Sequence, residues 1–461
     1  MKKIITYIVS FVMVLSIIGQ ATNIYNTATY ADTKPDFPKA PDIVGKSAIL
    51  INPVTGTILY EKDSHKKMYP ASITKIMTAL LTLENCKMNE EIVYSKKNIE
   101  SLTWEDSNIE CKVGEKMTVK DGLYALMLAS ANETATALAE HISGSTENFT
   151  KLMNDRAKQA GATDTHFANA NGLHDDNHYV TAYDMAMIMN DAIQYPAFLD
   201  VIHATEYTIP ANNKRKKPYP SIQRHMMIHP TSQYYDADVI GGKTGYTDQA
   251  GKCLVTYAKR GNVPLISVVL KSDGDVVFDD TKKLLDYGFD NFEFLNIYEN
   301  DTRFNTNTFD NLASPFASTD KTITVDKDTF IMIPKGVSIA DLDTEVSFHL
   351  TDDSFATITY KYGNHIMGSA KMKYINSGSY SEKEISTTTE SITEKKVTPA
   401  KKEKTTQSET KKTNKPVNSS HLLTIIIIVF VIIIIVSILT AIMLHRRKLN
   451  RIRAMKRRRN R

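Results

Sequence analysis

The sequence predicts a mixed helix-and-strand (α+β) region over residues 43–297, a small all-β region over 298–378 and a single C-terminal transmembrane helix. Three observations carry this expectation. Strand hairpins and amphipathic helices share the first region, alternating apolar residues mark short strands in the second, and Leu422 to Leu444 holds no charged residue. That run is longer than the roughly 20 residues a bilayer crossing needs.

Taken in order, Lys2 and Lys3 precede an apolar run from Ile4 to about Ile18 and small or polar residues up to Ala31, the pattern of a secretory signal peptide over residues 1–31. Ser47 to Pro53 and Thr57 to Tyr60 flank the turn signal Val54-Thr-Gly56, a hairpin signature. In Pro70-Ala-Ser72-Ile-Thr-Lys75, Ile73 begins a set with Ile76, Met77 and Leu80 at helical spacing, so a helix is expected to about Asn85. The apolar run after Gly122 reads as a buried helix that stops at Ser130-Ala-Asn132, and an Ala-rich helix follows. Another is expected from Thr146 to Ala160, ended by Gly161, and one more from Thr181. Lys214-Arg-Lys-Lys217, between Pro210 and Pro218, reads as a solvated loop able to touch an anionic wall polymer or membrane. Lys243-Thr-Gly245 falls on or just before a strand that neighbours the hairpin of Cys253–Ala258 and Leu265–Leu270.

Beyond the strands expected at 322–325, 344–350 and 355–360, residues 379–420 are Ser, Thr, Lys and Glu with almost no large apolar side chain, a composition that builds a linker and no core. The membrane segment is placed at 421–444. Ten Lys and Arg residues between Arg446 and Arg461 put the 445–461 tail on the cytoplasmic side, with the folded regions outside the cell and tethered. Those ten also account for the net charge of +4, so the rest of the chain is slightly acidic and gives no reason to expect nucleic acid as a partner. The three cysteines, Cys86, Cys111 and Cys253, are too few for a disulfide scaffold, and none has zinc-site spacing. Export would permit one bond, between Cys86 and Cys111, but free buried thiols are the expected state.

The chemistry-bearing pattern is Ser72-x-x-Lys75, which puts a hydroxyl and an amine on one helix face near a positively polarised N-terminus. That is a nucleophile and a base. The spacing arises cheaply, since Ser64 to Lys67 and Ser408 to Lys411 also fit it. What distinguishes the Ser72 copy is chain order: Ser130-Ala-Asn132 and Lys243-Thr-Gly245 follow it. Polar Ser130 and Asn132 between two buried helices are costly unless they are satisfied or line a cavity, and a catalytic cleft is one such cavity.

With Ser130-Ala-Asn-Glu-Thr-Ala135, Gly172-Leu-His-Asp-Asp-Asn-His178-Tyr-Val-Thr-Ala182-Tyr-Asp184 and Lys243-Thr-Gly-Tyr-Thr247, the chain over about residues 43 to 290 resembles the low-molecular-mass penicillin-binding proteins, the serine D-Ala-D-Ala carboxypeptidases of the penicillin-binding-protein-5 type. The resemblance implies an α/β (α+β) transpeptidase/β-lactamase-like domain with an antiparallel sheet flanked by helices. It implies peptidoglycan stem peptides ending in D-Ala-D-Ala as substrate, β-lactam antibiotics as inhibitors and no cofactor or metal. By motif, Ser72 is the acylated nucleophile, Lys75 its proton acceptor and Ser130 the relay to the leaving D-alanine. Asn132 holds the substrate backbone, Lys243 and Thr244 bind the terminal carboxylate, Gly245 and Tyr246 belong to the same substrate-binding set, and the N–H groups of Ser72 and Tyr246 form the oxyanion hole. Three positions depart from the pattern: Ala131 stands for glycine, Tyr246 for histidine and Gly242 for an apolar residue.

Other readings make different demands. A β-lactamase needs a carboxylate to activate the deacylating water, and no Glu-x-x-Leu-Asn element lies between Asn132 and Lys243. A zinc peptidase could use His174 and His178, but lacks a further ligand cluster. A membrane-tethered sensor or a wall-binding protein would keep the motifs without turnover.

Overall fold

The computed structural model describes residues 36–100, 102–103, 105–305, 321–349 and 354–376. The expected leader, linker, membrane segment and tail lie outside the described residues. Among the described residues no helix is long and apolar enough to cross a membrane.

Strands β1 (Ser47–Ile51) and β2 (Ile58–Lys62) form the first hairpin. Its turn is fixed by Asn52, whose Oδ1 accepts from the N–H groups of Val54 and Thr55, both at 3.0 Å, while Nδ2 donates to the Pro264 carbonyl. A 3-10 turn at Ala71–Thr74 leads into α1 (Lys75–Asn85). The small ladder β3 (Glu91–Val93) with β4 (Lys116–Thr118) precedes α2 (Val119–Tyr124), which continues as a π-helical turn through Ala125–Ala129. Then come α3 (Asn132–Ser143), α4 (Thr146–Gln159), α5 (Ala182–Ala192) and α6 (Pro196–His203). Ser145 and Thr181 cap α4 and α5 by accepting from the N–H three residues on. A second small ladder joins β5 (Glu206–Ile209) to β6 (Tyr219–Ile222). Three long strands follow, β7 (Val239–Thr247), β8 (Gly251–Arg260) and β9 (Val263–Ser272), and then α7 (Val276–Asn291).

The main sheet runs β2-β1-β9-β8-β7, antiparallel throughout, so the N-terminal hairpin lies against the last long strand. All of β1 is buried, because both faces of the sheet are covered. Ile49 and Ile51 face the helical layer around α1, whereas Ala48 and Leu50 face α7 with Leu254, Leu265 and Val269. Lys75 through Thr82 of α1 are all buried, which makes this helix the centre of the larger core.

Strand β10 (Phe292–Asn296) pairs with β12 (Phe330–Pro334), and a separate sheet runs β11-β15-β14-β13, built of β11 (Lys321–Val325), β13 (Asp343–Phe348), β14 (Ala356–Tyr362) and β15 (His365–Asn376). Strands β12 and β15 were not evident in the sequence, because neither alternates cleanly. Thr57 Oγ1 donates to the Met367 carbonyl at 2.8 Å and so joins β15 to the first hairpin turn.

One expectation changes. The 214–217 loop is not wholly solvated: Arg215 turns inward, its Nε on Glu115 at 3.0 Å and its Nη2 on the Ile109 carbonyl at 2.6 Å, leaving only the lysines exposed. All three cysteines are free, the state expected from the sequence, and Cys86 and Cys111 do not pair.

Asp280 of α7 is fully buried and accepts from the N–H groups of Val44 and Gly45 and from Ser272 Oγ, at 2.9–3.0 Å. It ties the entry to β1 and the end of β9 to the helix behind them. Asp280→Ala should lower unfolding free energy by roughly 3 kcal/mol, because the buried Gly45 N–H and Ser272 hydroxyl and the part-buried Val44 N–H lose their acceptor. Urea denaturation checks this; a loss below about 0.5 kcal/mol, the surface-substitution range, would show the tie to be dispensable.

Candidate active site

The site forms where α1, α3 and β7 meet. Ser72 sits on the 3-10 turn and Lys75 opens α1, one turn later. Lys75 has no exposure, and its Nζ lies 3.0 Å from Ser72 Oγ, 2.7 Å from Asn132 Oδ1 and 2.5 Å from the Asn171 carbonyl. Two of these partners can only accept. A neutral amine has two N–H donors and one lone pair, so it satisfies Asn132 and Asn171 while its lone pair receives the Ser72 hydroxyl proton. Burial holds the Lys75 pKa well below the usual lysine range, and the positive charges of Lys243 and Arg224 push it the same way against Glu133 and Asp106. Geometry and electrostatics agree on a base.

The seryl turn is braced from behind. The backbone N–H of Ala168 donates to His178 Nδ1 at 3.1 Å, which leaves the proton on Nε2 to donate to Thr74 Oγ1 at 2.9 Å, and Thr74 donates to the Ala71 carbonyl at 2.8 Å. Burial pushes the His178 pKa down to about 3, so the ring is neutral. With both nitrogens engaged it is no zinc ligand, and His174 turns instead to Asp176, 3.5 Å away. The brace holds Ala71 at φ 51°, a costly angle for a residue with a Cβ. Gly172 completes it: at φ 88° it passes so close that a Cβ there would meet the Ala71 carbonyl at 2.0 Å.

Ser130 ends the π-helical turn in left-handed backbone, φ 61°, and lines the cleft with a buried hydroxyl that has no hydrogen-bond partner among the described residues. Asn132 is buried behind it. The structure assigns its side-chain oxygen to Lys75, a role in positioning the base that the sequence did not reveal.

On the opposite wall, β7 lies against the seryl turn. A Cβ on Gly245 would come within 2.8 Å of the Pro70 carbonyl and 3.0 Å of the Ser72 nitrogen, so only glycine allows this approach. Lys243 is 1% exposed, its Nζ donates to the Thr244 carbonyl at 3.0 Å, and no carboxylate pairs with it among the described residues. Burial, then Arg224, lowers its pKa to about 7. Thr244 and Gly245 line the cleft, and Tyr246 stands at its mouth, 58% exposed, with its hydroxyl on Asp248 at 2.9 Å.

The cleft encloses about 1070 Å³ and reaches past Ser72 and Ser130 to Ser107, Tyr219, Arg224 and Tyr234. Arg224 donates to Ser107 Oγ at 2.8 Å, and the Ser107 carbonyl accepts from the Asn132 N–H at 2.9 Å. Sequence reasoning missed Arg224, Ser107, Asn171 and Thr74. The Asn171 contact is made by a backbone carbonyl, which no residue type marks.

A family model described as D-alanyl-D-alanine carboxypeptidase, Peptidase_S11, matches residues 34–274. The chain is 36% identical over 260 residues to D-alanyl-D-alanine carboxypeptidase DacF of Bacillus subtilis, a match spanning 55% of this chain and 64% of that relative, less than two thirds of its length. It is 30% identical over 329 residues to D-alanyl-D-alanine carboxypeptidase DacA of Escherichia coli, across 67% of this chain and 76% of the relative. The solved structure of penicillin binding protein 5 from Haemophilus influenzae superposes with a TM-score of 0.60 at 24% identity, covering 74% of this chain and 98% of that one. This last likeness shows the fold, the transpeptidase-like α/β arrangement of antiparallel sheet and flanking helices.

Thr74→Val removes the hydroxyl between His178 and the seryl turn and leaves a buried ring N–H without an acceptor. The rate at which a fluorescent penicillin acylates Ser72 should fall roughly tenfold, since about 1.4 kcal/mol of misplacement suffices. An unchanged rate in a folded variant would remove the brace from the catalytic geometry.

Proposed function

The chain belongs to the D-alanyl-D-alanine carboxypeptidase family, and from that premise we propose that it removes the terminal D-alanine from peptidoglycan stem peptides through a Ser72 acyl-enzyme. The single observation that carries the reading is the buried Lys75 amine on Ser72 Oγ, with its other two partners able only to accept. Ser72 Oγ attacks the carbonyl of the penultimate D-alanine as its proton passes to Lys75. The peptide C–N bond breaks, and the leaving amine takes a proton by way of Ser130, whose unpaired hydroxyl faces the cleft. Water then hydrolyses the ester and frees Ser72. The approach of Gly245 to Ser72 supports the backbone N–H groups of Ser72 and Tyr246 as the oxyanion hole. Lys243, without a carboxylate of its own, is the anchor for the substrate's terminal carboxylate, and Thr244 supports it. A β-lactam presents a comparable acyl group and carboxylate, and is the expected inhibitor.

The finer layout is proposed on the sequence. Residues 298–378 are read as a small β domain beyond the catalytic one. The basic and apolar leader, the charge-free run from Leu422 to Leu444 and the ten basic residues after it support an exported enzyme held at the membrane by one helix.

The purified chain should release D-alanine from a diacetyl-Lys-D-Ala-D-Ala peptide, and penicillin should abolish the release while labelling Ser72. Ser72→Ala that kept full release would falsify the assignment; a label on Ser72 without any release would move the protein to the acylating sensors. The lysines also set a pH dependence. Lys75 must be neutral, so kcat/KM rises with pH through its lowered pKa. Lys243 must be charged, so kcat/KM falls again as pH passes about 7. In Lys243→Arg the alkaline limb should move up by about one pH unit or more, because guanidinium keeps its charge. An unmoved limb would place the titration elsewhere.

A further inference from the structure

Far from the cleft, three metal-binding side chains of different kinds converge. Cys86 is the residue that closes α1, Glu90 lies in the turn before β3, and His141 belongs to the last turn of α3. One ligand atom from each, a thiol sulfur, a carboxylate oxygen and a ring nitrogen, lies within 4.8 Å of the other two. The geometry points to a zinc site formed by Cys86, Glu90 and His141, with a fourth position open to water.

The donor set selects the ion. A thiolate with an imidazole suits zinc and disfavours calcium or magnesium, which take oxygen. Tetrahedral zinc with Zn–S of about 2.3 Å and Zn–N or Zn–O of about 2.0–2.1 Å implies ligand atoms about 3.3–3.6 Å apart. Glu90 Oε2 and His141 Nε2 already stand 3.2 Å apart. Only the sulfur has to close in, by about an ångström, which a side-chain rotation supplies.

The backbone around the donors is pinned. The Cys86 N–H donates to the Thr82 carbonyl at 3.0 Å, and the Lys87 N–H donates to Glu90 Oε1 at 2.9 Å. The carbonyls of Met88 and Glu90 accept from the N–H groups of Lys120 and Val119, at 3.0 and 2.8 Å. The turn that carries Glu90 is therefore fixed to the start of α2. None of the three donors is fully buried, so an ion can enter from solvent.

A metal here would clip together the C-terminal ends of α1 and α3, the two helices whose N-terminal ends hold Lys75 and Asn132. At 1.5 Å per residue, the 11 residues of α1 put Cys86 about 16 Å along the helix axis from Lys75. The effect of the clip is then on the stability of the helix pair, with no part in the chemistry.

The test uses the purified full chain in detergent, stripped with chelator and titrated with zinc alone, then with cobalt as a spectroscopic stand-in. Expected are one zinc per chain, a thiolate-to-cobalt charge-transfer band that Cys86→Ser abolishes, and affinity at least about tenfold weaker in Glu90→Gln and in His141→Gln. Zinc should raise the unfolding temperature of the parent chain and leave that of Cys86→Ser unmoved. Zinc affinity equal in all three variants, a cobalt spectrum with no thiolate band, or no binding at all overturns the site and leaves Glu90 and His141 as a surface hydrogen-bonded pair. Should Cys86→Ser not fold, the Glu90→Gln and His141→Gln affinities decide alone.

Discussion

The constraint on which the rest depends is an amine buried without a counter-ion. A lysine taken fully out of water and left without a carboxylate is tenable only if it gives up its proton, and only if each remaining polar position finds a partner. Lys75 meets both conditions, and the fold around it can be read as their consequence. Helix α1 is buried from Lys75 through Thr82, which keeps its first residue dry. The loop at 169–172 brings a carbonyl to the amine, and Thr78 fastens the same loop one turn on through the Ala170 carbonyl, at 2.6 Å. Helix α3 begins at Asn132 because that side chain must reach the amine from the other side.

Much of this was legible in the sequence, and the part that was not has a physical reason. Ser72 and Lys75 were readable because a three-residue spacing at a helix start fixes which side chains meet. Ser130 and Lys243 were readable by order along the chain, and the antiparallel sheet only through resemblance, since no local pattern says that β1 should lie beside β9. The brace through Thr74 and His178 joins residues 104 apart, and the structure alone pairs them. Arg215 was misread for the opposite reason. It sits in a run of exposed lysines, yet one guanidinium finding Glu115 and a free carbonyl is enough to turn it inward. The π-helical turn before Ser130 left no compositional trace either, because its residues are as apolar as those of a regular helix.

Among the described residues five non-glycine residues adopt positive φ, and two of them flank the candidate site, the others being Asp63, Glu110 and Lys271. Ala71 and Ser130, on either side of the reacting hydroxyl, both adopt positive φ without being glycine. Such angles persist only where the surroundings over-determine them. For Ala71 the surroundings are the Thr74 hydroxyl and the passing backbone of Gly172; for Ser130 they are the π-helical turn behind and α3 ahead. The stability given up at these two residues fixes two hydroxyls in orientations that relaxed backbone would not present.

Two buried lysines a short way apart make opposing demands on one cleft. In the proposed mechanism Lys75 works only when neutral and Lys243 only when charged, yet burial lowers both and each is further lowered by a positive neighbour. The asymmetry lies in what each can touch. Lys75 is surrounded by protein acceptors that a neutral amine satisfies, whereas Lys243 has a single carbonyl and no protein carboxylate among the described residues. In that mechanism a substrate carboxylate restores the charge of Lys243 on arrival, by supplying the counter-ion the protein withholds. It also screens the positive field on Lys75, which taken alone would make that lysine a stronger base and easier to protonate. Burial is the larger cause for Lys75, so the amine stays neutral while its neighbour is charged. One desolvated cleft can thus hold a base and a cation of the same residue type, told apart by the acceptors around each.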